Sequence, residues 1–446
     1  MENTLQHIFS TDYNQDAFFS GVLHYVFGEK NITKQEYPEE FIVSDADRNL
    51  AEAANILSIK KIGSIEGFFD DFSIFDIILG DNSKIAHSRV NIQKVLRKKL
   101  RGENAFLIFH YQNPEGKEWR LSYLYSYGKD STDSKRYTYL LGCQHNARTA
   151  TDRFSNLQKD LVSLKDDTTK GKELLEEAFS VEALSNEFFD KYRALYANFV
   201  QYITGKRVVK IGSKWEEKKQ HDPDPTLYAA FGKDDKRIRD YVKKLMVRIT
   251  FLYFVQKKGW FNKDYNYLQH LFENCKYQND FLDRVLEPFF YTVLNTEEPN
   301  RKKAFADHNN NLNPSEVEWD PDLLKEWENF PFLTGGLFER DENDIVRSQF
   351  PPQFFENLNG YDENFVGKIP TKDTGYTWER IPGIFDLFSQ YNFTIDENAP
   401  DDAEVGIDPE MLGKIFENLL EDNKDKGAFY TPKEIVQYMC RESLIA

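Results

Sequence analysis

The chain has 446 residues, with 57 Lys and Arg against 74 Asp and Glu, a formal net charge of −17 and a pI near 5.1. Hydrophobic residues make up 40% and aromatics 15%, including 37 Phe and 24 Tyr, which argues against disorder and for two to four packed domains at roughly 100 to 200 residues each. The acidic balance excludes a protein that coats itself nonspecifically on nucleic acid, so any DNA contact has to be local.

The first residues, MENTLQHIFSTDYNQDAFF, are acidic early and lack an apolar core, so they are not a secretory signal. No run reaches the roughly 18 apolar residues of a membrane span. Cys143, Cys275 and Cys440 stand far apart with no CxxC pair, which supports neither a zinc ribbon nor a disulfide framework and fits a reducing, cytoplasmic setting. No metal-ligand cluster appears, and scattered histidines such as His87, His110 and His145 read as structural.

Residues 1–155 read as an α/β domain. Four segments alternate in the strand manner: IEGFFDDFSIFDIIL, AFLIFHYQ, WRLSYLYSY and KRYTYLLG. Between the first two, SRVNIQKVLRKKLRG has a helical stripe of Val90, Val95, Leu96 and Leu100. Its cations are Arg89, Lys94, Arg97, Lys98, Lys99 and Arg101. This run reads as a solvated face that could track phosphates. The strand-helix-strand order raises a nuclease of the PD-(D/E)xK kind, whose carboxylates hold Mg²⁺ beside a lysine. Asp76 occupies a carboxylate position, but Ile78 stands where the lysine belongs, and Asp70-Asp71 read as a solvated turn. The expectation is a degenerate, nuclease-like domain, with Mg²⁺ as a cofactor only if a nuclease is present.

Residues 156–300 read as an α-helical connector. Within them, the stretch holding Lys206, Arg207, Lys210, Lys214, Lys218 and Lys219, with Trp215, Pro223 and Pro225, reads as a charged insertion or linker. The strongest amphipathic helix follows, with Ile238, Tyr241, Val242, Leu245, Ile249 and Leu252 facing inward, and ends at Gly259. Residues 301–405 are loop-rich, with Gly335 and Gly336 suited to a tight turn. The acidic run IDENAPDDAEVGID repels phosphate. In residues 406–446, the helix DPEMLGKIFENLL leads to GAFYTP, where Thr431 can cap a helix and Pro432 suits its first turn.

The segment GAFYTPKEIVQYM resembles the opening of the catalytic domain of N6-adenine DNA methyltransferases, especially those of type IIG restriction-modification proteins. The similarity extends through IDPEMLGKIFENLLEDNKDKGAFYTP and, less specifically, through LTGGLFE, LYFVQKKGWF, KRYTYLLG and ARTATDRF. The resemblance implies that residues 406–446 begin a Rossmann-like methyltransferase domain. It implies S-adenosylmethionine as cofactor, with Gly427, Phe429, Tyr430, Thr431 and Pro432 as the donor-binding residues. Double-stranded DNA is the implied partner, with a restriction-modification subunit as a further one, and the reaction is methyl transfer to adenine N6.

One departure stands out. The 446 residues contain neither an FxGxG-type turn nor an NPPY-type tetrapeptide, and NPSE at Asn313–Glu316 lacks the second Pro and the aromatic. Flipping a base needs a snug stacking pocket. The expectation is therefore an N-terminal part of a longer enzyme, with no catalytic residue in this chain and no activity alone. The alternative is a noncatalytic DNA-positioning or partner-binding module, or a nuclease domain.

Overall fold

The computed structural model describes the chain apart from residues 1, 43, 70–71, 82–103, 127–133, 165–167, 212–213, 312–320, 334–335, 342–343, 345–349, 357–367, 372–374, 379–382, 395–401, 412, 414, 416–434, 436–438, 440 and 444–446. It divides into two units, one of Met1–Glu187 with Ser389–Asp408 and one of Phe188–Phe388 with Pro409–Ala446.

The first unit is α/β. Its strands are β1 (Ile32–Glu40), β2 (Ile56–Ile65), β3 (Phe72–Leu79), β4 (Asn104–Tyr111), β5 (Trp119–Ser126) and β6 (Ser134–Leu141). They pair in that order, and the short strand Asp402–Glu404 adds to the far edge parallel to β6. The β3–β4 pair is parallel and the other neighbours among β1 to β6 are antiparallel. Parallel neighbours need a crossover. The expected basic helix falls in that connection and lies outside the described residues.

The strand period of two sorts side chains to two layers. Phe75, Ile77, Leu79, Leu107 and Phe109 face one side and pack with Ala51 of the helix Asp45–Ala53 and with Ala54 just after it. Phe106, Tyr123 and Tyr139 face the other. There Phe154 of the helix Arg148–Ser163 meets Phe9 at 5.4 Å, Tyr139 at 6.2 Å and Phe106 at 6.5 Å between ring centroids. Such pairs contribute about 0.5–1.5 kcal/mol each beyond area burial.

The sequence reading supplies β3 to β6 and misses β1 and β2. In β2, Ile56, Ile59, Ile62 and Ile65 recur every third residue and imitate a helix. Two register shifts explain the spacing, one between Ile56 and Ser58 and one between Lys61 and Gly63. Each bulge inserts a residue, so the period of two is reset. The β1 strand is polar, largely exposed and contains Pro38, all of which an edge strand tolerates.

The second unit is mainly helical. Its backbone includes residues of the helix Val181–Thr204 from Phe188 onward, then Asp235–Lys257, Tyr267–Asn274 and Arg301–Asn311. Asp234 caps the second of these by accepting from the amides of Lys236 and Arg237. The expected stripe of Ile238, Tyr241, Val242, Leu245, Ile249 and Leu252 is buried, and the helix stops before Gly259 at φ 72°. Between Phe281 and Leu294 the backbone widens into π turns over Leu282–Leu286 and Phe289–Leu294, on either side of Glu287-Pro288. Pro288 has no amide hydrogen to donate, which favours local rearrangement of the ladder.

The expected linker at Lys206–Lys219 is instead an antiparallel hairpin, β7 (Lys206–Ile211) and β8 (Lys214–Lys219). Val208, Val209 and Ile211 are β-branched, and the two residues between the strands are Gly-Ser, a pair suited to a short hairpin connection. The lysines hid that pattern. Among the described residues, no helix is long and apolar enough to cross a membrane.

Candidate functional site

Gly427, Phe429, Tyr430, Thr431 and Pro432 lie outside the described residues. Their flanks do not. After Asp408-Pro409, Glu410, Met411, Gly413 and Ile415 are helical, and Met411 and Ile415 are buried four residues apart, as one helical face requires. Beyond the motif, Ile435, Met439 and Arg441–Ser443 are helical again. Ile435 and Met439, also four apart, are 49% and 57% exposed.

In the first unit, Asp76 lies inside β3 with its side chain only 9% exposed. Its Oδ1 is 3.0 Å from His110 Nε2, and His110 Nδ1 is 2.9 Å from the Tyr111 carbonyl. The Tyr13 ring lies 4.7 Å from the imidazole. Burial, then the neighbouring Asp76 charge, pushes the Tyr13 hydroxyl well above its ordinary pKa.

Lys60 is the register partner of Asp76 across β2, which puts a lysine on the same sheet face. Sequence spacing had sought it at Ile78. His110 and Lys60 could have been found only by knowing the strand register. Among the described residues no group of three His, Cys, Asp or Glu is arranged to hold a metal. Asp70 and Asp71 lie outside those residues.

The ARTATDRF segment supplies core and ion-pair residues. Phe154 is core, while Arg148 and Arg153 each stand 3.7 Å from Glu187, to which Tyr391 donates at 2.9 Å. Arg148 also reaches Asp152 at 3.3 Å. This is an ion-pair network around a half-buried carboxylate.

In the second unit the GLFE segment is held by Arg248, a residue the sequence analysis passed over. Arg248 sits on the helix Asp235–Lys257 and is 1% exposed. Its Nε donates to the Leu337 carbonyl at 2.8 Å and its Nη2 to the Glu339 carbonyl at 2.8 Å. Nη1 donates to the Tyr291 hydroxyl at 3.0 Å, and both Nη groups reach Asp344, at 3.2 and 3.3 Å. All five donors of the guanidinium fork are used.

Lys244 joins at 2.7 Å from both Asp341 and Asp344. Burial would lower the Arg248 pKa, but Tyr291 and Asp344 outweigh it and raise it. Next to this hub, burial and then the Asp283 charge push Glu287 well above the usual glutamate range, with Arg340 opposing. A cation inside an apolar stripe is the one sequence signal that could have exposed the hub.

Three of the hairpin cations have acidic partners. Lys206 pairs with Asp235, Lys218 with Glu216 at 2.7 Å and Lys219 with Asp222 at 2.6 Å. Arg207 is buried and donates to Asn198 and Gln201 at 2.7 and 3.0 Å.

No protein-family model matches the chain. No solved structure matches it significantly either. The chain is similar to a Methanocaldococcus jannaschii protein named "Putative type II restriction enzyme and methyltransferase", with 24% identity over 271 residues. That alignment covers 59% of this chain and 19% of the relative, so the chain spans about a fifth of the length of the curated relative it matches. The similarity supports a connection to restriction-modification, methyltransferase-related proteins.

Proposed function

We propose that this chain serves in a restriction-modification enzyme that transfers a methyl group from S-adenosylmethionine to adenine N6 in double-stranded DNA. The observation that carries the reading is GAFYTPKEIVQYM, flanked by helical residues on both sides, in a chain similar to a protein named for both restriction and methylation. Gly427, Phe429, Tyr430, Thr431 and Pro432 are the proposed donor-binding residues, in a sequence whose Thr-Pro pair reads as a helix start, a place that suits a polar ligand. S-adenosylmethionine supplies the methyl group. An NPPY-type tetrapeptide has to come from outside these 446 residues, so the chain alone is inactive in transfer.

For the first unit we favour DNA positioning over cleavage, because the Asp76 carboxylate is engaged with His110. The reading places the protein in the cytoplasm.

Calorimetric titration with S-adenosylmethionine tests the main reading. A chain extended through the downstream reading frame should bind clearly and this one weakly or not at all. No binding by the extended chain, or no N6-methyladenine in DNA treated with it, sinks the proposal. Incubation with plasmid and Mg²⁺ tests the first unit. Cleavage that disappears in Asp76→Ala would reverse the positioning assignment.

A further inference from the structure

The loop that leaves the helix Asp235–Lys257 carries two exposed aromatics and two exposed lysines within eight residues. Lys258 caps the helix and Gly259 follows in the left-handed region at φ 72°. Asn262 and Lys263 take the same region at φ 53° and 61°, unusual for residues with side chains. The Lys263 amide donates to the Gly259 carbonyl at 3.1 Å and the Asp264 amide to the Phe261 carbonyl at 2.9 Å. Below the loop Phe261 is fully buried, 5.2 Å from both Phe330 and Tyr267. The loop is therefore an anchored turn.

Its outer surface is different in character. Trp260 is 48% and Tyr265 45% exposed, and among the described residues neither ring pairs with another aromatic, whereas ring contacts fill the core beneath. A Cβ placed on Gly259 would stand 3.7 Å from both the Tyr265 ring and the Lys263 backbone, so both residues lie close to Gly259.

Lys258 and Lys263 are exposed, with no carboxylate partner among the described residues. The loop's own carboxylate, Asp264, is turned to the Asn266 amide at 2.9 Å and to His270 Nδ1 at 2.7 Å. In a chain of net charge −17, this unneutralised pair of cations beside two rings contrasts with Lys206, Lys218 and Lys219 of the hairpin, each of which has an acidic partner.

We propose that residues 258–265 form a contact surface for a DNA strand with unstacked bases. Lys258 and Lys263 meet phosphates, while Trp260 and Tyr265 lie against base or sugar faces. The chemistry is that of single-stranded nucleic-acid sites, where a cationic track is combined with aromatic platforms. The inference rests on the proposed action of the protein on DNA.

Fluorescence anisotropy with a labelled single-stranded oligonucleotide and its duplex, using the 446-residue chain, tests it. Trp260→Ala and Tyr265→Ala should each weaken single-strand binding about tenfold and duplex binding less. Lys258→Gln and Lys263→Gln should each lower the slope of log affinity against log salt by about 0.7. Melting temperatures should stay unchanged.

If the wild-type chain binds and the four variants bind equally well, the loop assignment falls while the methyltransferase reading stands. Equal losses on single strand and duplex would also overturn it. A wild-type chain that binds neither DNA overturns the loop assignment as well, and the methyltransferase reading is then decided separately by S-adenosylmethionine binding to the extended protein. Loss of melting temperature in the Trp260 and Tyr265 variants would assign the rings a packing role instead.

Discussion

Each unit has a buried polar cluster, and the two are built to different ends. In the second unit Arg248 spends three of its five hydrogen bonds on backbone carbonyls and a tyrosine hydroxyl and two on Asp344, and so fixes an irregular segment to a regular helix. In the first unit Asp76 and His110 lie on adjacent strands of one sheet, already aligned by backbone pairing, and their contact adds a side-chain bond to a frame that does not depend on it. A buried charge that holds a loop in place is hard to replace. One that decorates a sheet is not.

Arg248→Met should therefore have the largest effect, a loss of about 3–5 kcal/mol, because the buried Asp344 loses one of its two cations and the Leu337 and Glu339 carbonyls lose their donor. Arg248→Lys should rescue little, since one ammonium cannot reach two carbonyls, a hydroxyl and a carboxylate. Chemical denaturation gives the number. A loss below about 1 kcal/mol for Arg248→Met would remove the distinction drawn between the clusters.

Asp76→Ala comes next, at about 1–3 kcal/mol, the penalty of leaving a mostly buried ring nitrogen of His110 without its partner. The sheet should survive with an unchanged far-ultraviolet spectrum. If instead Asp76→Ala unfolds the first unit while Arg248→Met is mild, the roles of the two clusters have been assigned the wrong way round.

Glu287 sharpens the contrast through pH. Burial, then Asp283, raises its pKa above the ordinary value of 4.5, so the folded chain keeps a proton that the unfolded chain has lost. Stability from this group is fully present below the ordinary value and falls as pH rises toward the folded value, because the native state binds more protons in that window. Glu287→Gln cannot ionise. Its melting temperature should match wild type at the acidic end and decline less as pH rises, as thermal melts across that range would show. Parallel curves would mean that Glu287 is ionised in the fold.

These particulars also show what the sequence made legible. The alternation of β3 to β6 and the stripe of the helix Asp235–Lys257 are one-dimensional periodicities, and both appear where expected. The β2 strand was hidden because two bulges changed its period, and the hairpin because lysines obscured its β-branched residues. The polar clusters were harder still. Arg248 and Asp344 are 96 residues apart, and Asp76 and His110 are 34 apart, so no local pattern pairs them. The GAFYTP residues were the most informative in sequence and lie outside the described structure, so their role rests on resemblance and on helical flanks.

The smallest effect is expected at the hairpin, at two lysines whose charge is compensated. Lys218 and Lys219 are largely exposed and lie against Glu216 and Asp222. Exposed pairs of this kind contribute about 0–1 kcal/mol, because water screens the attraction and two long side chains lose freedom. Lys218→Gln with Lys219→Gln should thus leave stability within about 1 kcal/mol and DNA affinity nearly unchanged. The same measurement on Lys258→Gln with Lys263→Gln should change the salt dependence. A hairpin variant that loses DNA affinity as strongly as the loop variant would show that counting cations in the sequence located the DNA contact better than counting those without a carboxylate.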